Sequence, residues 1–95
     1  MIKRIVKMTF QAEKTADFEA IFKNAKPKIL NMEGCKHLEL WRSTAQPNVF
    51  FTYSFWQSEY HLNEYRSSEL FCKTWKVTKA LFEDKPAAWS VEEIG

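Results

Sequence analysis

The sequence predicts an α+β domain of ferredoxin-like type, running strand, helix, strand, strand, split helix, strand. Three observations carry this. Ile2 to Phe10, Lys36 to Arg42 and Val49 to Trp56 show the two-residue alternation of strands. The stretches from Lys14 to Asn31 and from Ser58 to Phe82 switch to helical spacing. Turn residues sit at each change of period.

In the first strand, Val6, Met8 and Phe10 share one face, and Lys3, Lys7 and Thr9 the other. Phe18, Ile21, Phe22, Ala25 and Ile29 then form one apolar helical stripe. Pro27 removes the N–H that would bond the Lys23 carbonyl, which predicts a kink or a looser last turn. Gly34 supplies the left-handed residue that often ends a helix. In the second strand Leu38 and Leu40 oppose His37, Glu39 and Trp41, and Thr44 to Asn48 reads as a turn.

Val49 to Trp56 carries large residues on both faces: Phe51, Tyr53 and Phe55 against Phe50, Thr52, Ser54 and Trp56. Such a strand has something packed on each side. Ser58 is the expected N-cap of a short helix to Arg66, with Glu59 in its first turn. Ser67 or Ser68 opens the next helix, whose buried stripe is Leu70, Phe71, Thr74, Trp75, Thr78, Leu81 and Phe82. Glu69 and Lys73 make a favourable pair outside it. Pro86 stops this helix, and Ala87 to Ile94 forms the last strand.

With 95 residues, the chain reads as a single domain, 1–95. A chain of this size buries only about 60–65% of its unfolded surface, so disulfides or a second copy commonly add stability. Cys35 and Cys72 are isolated, as in a reducing compartment, and a cytoplasmic location is expected. The helices cover one sheet face; the other would expose a large apolar patch, so a homodimer is expected.

Other partners are not expected. No run approaches the roughly 18 apolar residues of a membrane span. The net charge is +2, and Lys73, Lys76 and Lys79 read as a solvated helix face, too sparse for nucleic acid. With two glycines, Gly34 and Gly95, a glycine-rich phosphate loop is excluded. His37 and His61 lack the i,i+4 spacing of a helical metal pair; a metal site of Cys35, His37 and Glu39 is the weak alternative to none.

The run Trp56-Gln57-Ser58-Glu59, then Leu62, then Tyr65-Arg66-Ser67-Ser68-Glu69-Leu70-Phe71 resembles the antibiotic biosynthesis monooxygenase (ABM) domain. The Gly34-Cys35 turn into Lys36 to Leu40 fits that family's second strand. The resemblance implies a dimeric α+β barrel that pools two sheets. It also implies either oxidation of phenols and quinols by O₂ without a cofactor or, in another branch, haem degradation. The expected function is a cofactor-independent monooxygenase acting on a small aromatic molecule. The alternative is a non-catalytic dimeric module for ligand binding or stress response.

By the same resemblance Trp56 borders the substrate cavity; the packing reading has it seal the sheet against the second helix, and both stay open. Tyr65 and Arg66 fall where quinol-oxidising relatives often carry a His. A tyrosine with its ordinary pKa of about 10 is a poor base at neutral pH, leaving Tyr65 to orient a phenolic oxygen or to pack. Trp75 stands where haem-degrading relatives have the iron-binding His, and indole offers no lone pair. The first strand also lacks that branch's Asn, so haem degradation is disfavoured and Trp75 reads mainly as core. Thr52 and Ser54 occupy the place of an Asn-type donor. His37 has the pKa range of a base, although a strand histidine beside Glu39 is more often a surface or interface group. The candidate site is therefore His37 and Tyr65 for catalysis, with Thr52, Trp56, Phe71 and Trp75 binding substrate.

Overall fold

Alternating side chains and helical stripes assemble into one four-stranded sheet in the computed structural model, which describes residues 1–95. The strands are β1 (Ile2–Thr9), β2 (Cys35–Arg42), β3 (Val49–Trp56) and β4 (Ala87–Val91). The helices are α1 (Thr15–Leu30), α2 (Glu59–Arg66) and α3 (Glu69–Lys79). The sheet order is β2-β3-β1-β4, antiparallel throughout, which is the expected ferredoxin-like topology. The last strand is shorter than expected and ends at Val91.

Register follows strand parity. Ile5 pairs with Tyr53 and Trp89, and Met8 pairs with Phe50. A bulge between Cys35 and His37 adds one residue to β2. Cys35 therefore packs on the helix side with Leu38, while His37, Glu39 and Trp41 face the other way.

Helix α1 runs through Pro27 to Leu30, where a kink or loosened turn was expected. Its last turn closes because the Asn31 N–H donates to the Pro27 carbonyl at 3.2 Å, and buried Ile29 anchors it to the core. Ser58 caps α2 by accepting from the His61 N–H at 3.3 Å. Ser68 caps α3 by accepting from the Phe71 N–H at 3.1 Å, and its own hydroxyl donates to the Tyr65 carbonyl at 2.6 Å. One serine thus ends the first half of the split helix and starts the second. The Glu69–Lys73 pair forms at 2.8 Å on the exposed side.

The core between sheet and helices has two parts. Met8, Phe10, Phe18 and Phe50 form one, with Phe10 and Phe18 stacked at 4.2 Å between ring centroids. Ala25, Ile29, Leu38, Trp56 and Leu62 form the other. The outer sheet face carries Trp41 stacked on Tyr53 at 4.6 Å, Phe55 edge-on to Tyr53, and the Lys3 ammonium 4.8 Å from the Phe55 ring centre. Trp41 and Trp89 on this face remain 40% and 49% exposed, so the chain covers them only in part.

Gly34, at φ +84°, turns α1 into β2 in the left-handed region. A Cβ there would lie 2.4 Å from His61 Cγ. Gly34→Ala is expected to lower stability by at least about 1–2 kcal/mol from backbone strain, with the clash adding to it. Urea denaturation should show this loss, and His61→Ala in the same chain should recover part of it. A Gly34→Ala protein as stable as the parent would contradict the assignment.

Candidate functional site

Between its aromatic ends, β3 places two small hydroxyl residues, Thr52 and Ser54, on the helix side. The helices stand off the sheet above them, leaving a cavity of about 290 Å³ between the two core clusters. Its floor includes Arg4, Val6 and Met8 of β1 and Thr52, Ser54 and Trp56 of β3. Its roof includes Phe18 and Phe22 of α1, Tyr65 and Arg66 of α2, and Phe71 and Trp75 of α3. This volume lies at the lower edge of ordinary small-molecule sites, about 300–1,000 Å³, and suits a ligand of one or two rings.

The four expected aromatics form one wall. Trp56 is 1% exposed, its indole N–H donates to Ser54 Oγ at 3.0 Å, and Tyr65 stacks on it at 4.8 Å. Tyr65 meets Phe71 edge-on at 5.2 Å, and Phe71 stacks on Trp75 at 5.8 Å. Trp56 both lines the cavity and belongs to the core, so the two readings of it are not alternatives in packing. Trp75 likewise lines the cavity while packing on the Phe10 cluster.

Burial, reinforced by the nearby Cys35 thiol, pushes the Tyr65 hydroxyl up to about 12. At neutral pH it is a hydrogen-bond donor, not a base. His37 lies apart from the other five candidates. On the far side of the sheet its ring bonds Glu39, which also accepts from the Trp41 indole N–H at 2.9 Å. Those two bonds, Trp41's first, lower the Glu39 pKa. Strand parity after the β2 bulge is the physical reason that His37 and Tyr65 do not meet. The same parity separates Cys35 from His37 and Glu39, so the three donors of the alternative metal site do not converge.

Of the charged lining residues, the sequence reading passed over Arg4 and left Arg66 without a role. The signal for Arg4 was available: it shares parity with Val6 and Met8 on the inward face of β1.

The family model for antibiotic biosynthesis monooxygenase matches residues 1–76. The chain belongs to that family. The ABM fold recurs in solved structures over essentially the whole chain. A conserved protein from Methanosarcina mazei Go1 superposes with a TM-score of 0.93 at 17% identity, covering 98% of this chain and 92% of its own. An antibiotic biosynthesis monooxygenase matches with a TM-score of 0.93 at 15% identity, covering 100% of both chains. Rv0793 from Mycobacterium tuberculosis gives 0.90 at 14% identity, covering 99% and 95%. At such identities these structures share the fold. No curated protein matches the chain in sequence.

In this ABM chain the part-buried Tyr65 makes stability depend on alkaline pH. An unfolded tyrosine releases its proton near pH 10, whereas Tyr65 holds it to about 12. Between those values the native state binds the extra proton, so stability falls as pH rises from about 10 toward 12. Urea melts across pH 9 to 11 should show the decline begin, and Tyr65→Phe should lessen it. An unchanged slope in Tyr65→Phe would mean that this hydroxyl is not the group responsible.

Proposed function

We propose that the chain is a cofactor-independent monooxygenase for a small, flat, electron-rich aromatic such as a quinol. The observation that carries this is the aromatic-walled cavity in an ABM chain, with Thr52 on its floor and Tyr65 in its roof. Apolar walls exclude water, and hydroxyl donors are suited to orient a phenolic oxygen. The ionised quinol passes one electron to O₂, and the resulting radicals combine to form a carbon–oxygen bond. Loss of water then leaves a hydroxyquinone, so quinol plus O₂ balances hydroxyquinone plus water. In this reading Tyr65 and Thr52 orient the substrate, and Trp56, Phe71 and Trp75 hold its ring. His37, outside the cavity, belongs to the outer sheet face.

One observation favours a second reading, a binding or stress-response module. No His, Asp or Glu lines the cavity, and Tyr65 is protonated at neutral pH. Oxygen-electrode measurements with a panel of naphthohydroquinones, without added metal or flavin, separate the two. The first reading expects protein-dependent uptake above autoxidation, with Trp56→Phe at least about tenfold lower in kcat/KM, roughly 1.4 kcal/mol. Uptake no faster than autoxidation across the panel leaves the binding module.

We also propose that the outer sheet face packs on the same face of a second copy, closing a dimeric α+β barrel. Exposed Trp41, Trp89 and Val91 beside Tyr53 and Phe55 support it, because a two-fold pair covers both patches at once. Sedimentation at micromolar concentration should report about twice the chain mass. Trp41→Glu with Trp89→Glu, both on the sheet face opposite the cavity, should shift the protein toward monomer. A parent that sediments as a monomer removes the barrel.

A further inference from the structure

Two arginines line the cavity, part-buried Arg4 and exposed Arg66, and neither has a carboxylate partner. Arg4 sits on the floor, paired across the sheet with Ser54 on one side and Ser90 on the other. Its one side-chain hydrogen bond goes to Ser90 Oγ at 3.0 Å, leaving most of its five N–H donors uncommitted. Arg66 closes α2 directly after Tyr65 and lines the same cavity. None of the ion pairs in the molecule includes either arginine, and no Asp or Glu is among the lining residues.

We infer that the cavity takes its aromatic ligand as an anion, with the ring against the Trp56–Tyr65 wall and a charged oxygen on Arg4 and Arg66. A half-buried cation without a counter-ion carries a desolvation cost that a bound anion offsets. Burial, then the Arg66 charge, lowers the Arg4 pKa, while Glu59 in the first turn of α2 acts weakly in the opposite sense. The two cations therefore sense one another at this end of the cavity. Their attraction for an oxyanion is strengthened by the apolar walls, and the planar guanidinium fork matches a carboxylate or an aryl oxide. The ligand class is a flat aromatic bearing an acidic oxygen.

The inference rests on the proposed function only in placing an aromatic ligand in this cavity. It also meets the lack of a base among the lining residues. A phenol that binds as its anion has already released its proton to water, so no protein group need remove it.

The test uses 2-naphthoate and its neutral isostere 2-naphthamide, neither of which is a quinol, with calorimetry as the readout. The parent should bind the naphthoate at least about tenfold more tightly, and the preference should weaken with salt. Arg4→Gln should reduce the preference to within about twofold, the larger loss falling on naphthoate, and Arg4→Lys should retain part of it. Circular dichroism checks folding. Should Arg4→Gln not fold, Arg66→Gln on the exposed end of α2 carries the test and should lower the preference at least threefold. Equal affinity for the two ligands, binding of neither, or a preference untouched by both Gln variants would overturn the inference. Naphthoate selectivity without oxygen uptake from any quinol upholds it and removes the monooxygenase reading. Quinol oxidation with equal naphthoate and naphthamide affinity removes the inference alone.

Discussion

Strand β3 is interior to the sheet, between β2 and β1, and it carries large side chains on both faces. On the helix side, Phe50 and Trp56 are nearly inaccessible, at 2% and 1% exposure, and each anchors one of the two core clusters. Thr52 and Ser54 between them are too small to reach the helices. The clusters act as two pillars that hold the helices off the middle of the sheet, and the cavity is the space between the pillars. Trp56 belongs to a pillar and to the cavity wall at once. Its indole N–H is satisfied by Ser54, so a buried donor is kept without opening the site to water.

The other face of β3 poses the opposite problem. Phe51, Tyr53 and Phe55 have only neighbouring strands to pack against, and they extend into a patch with Trp41 and Trp89. Several polar groups there bond one another. His37 and Trp41 both bond Glu39, and Lys3 reaches Glu93 at 3.0 Å while lying over Phe55. These pairings lie among the aromatic rings, of which Trp41 and Trp89 stay partly open to solvent.

Charge is distributed differently in the cavity. There the titratable groups are two arginines and a tyrosine held in its neutral form by burial. Under the proposed reading, a cavity with cations and no base suits ligands that arrive already ionised. The split between α2 and α3 matters for the same reason. Ser68 joins the two helices at the point where Tyr65, Arg66 and Phe71 enter the roof, so one capped junction positions three lining residues.

By itself the sequence determined the elements, their order and the faces of each strand, because these follow from local periodicity, caps and turns. Ser58 and Ser68 mark boundaries that the structure keeps, whereas Gly34 is left-handed but opens β2, the first helix having ended earlier at a right-handed Asn31. The aromatic wall of Trp56, Tyr65, Phe71 and Trp75 was legible from stripe and family resemblance. Pro27 shows a limit of that reading: tertiary burial of Ile29 holds the helix through a residue that disfavours it. What only the tertiary structure decided is which of these faces look at one another. The bulge in β2 puts Cys35 and His37 on opposite sides, a matter of register between strands that no local spacing records. Arg4 meets Ser90 across a sequence separation of 86, and both it and Arg66 turn to the same cavity only once β1 and α2 are packed. Periodicity is a property of neighbours along the chain, whereas a site is a convergence of residues remote in sequence, and only packing brings that convergence about.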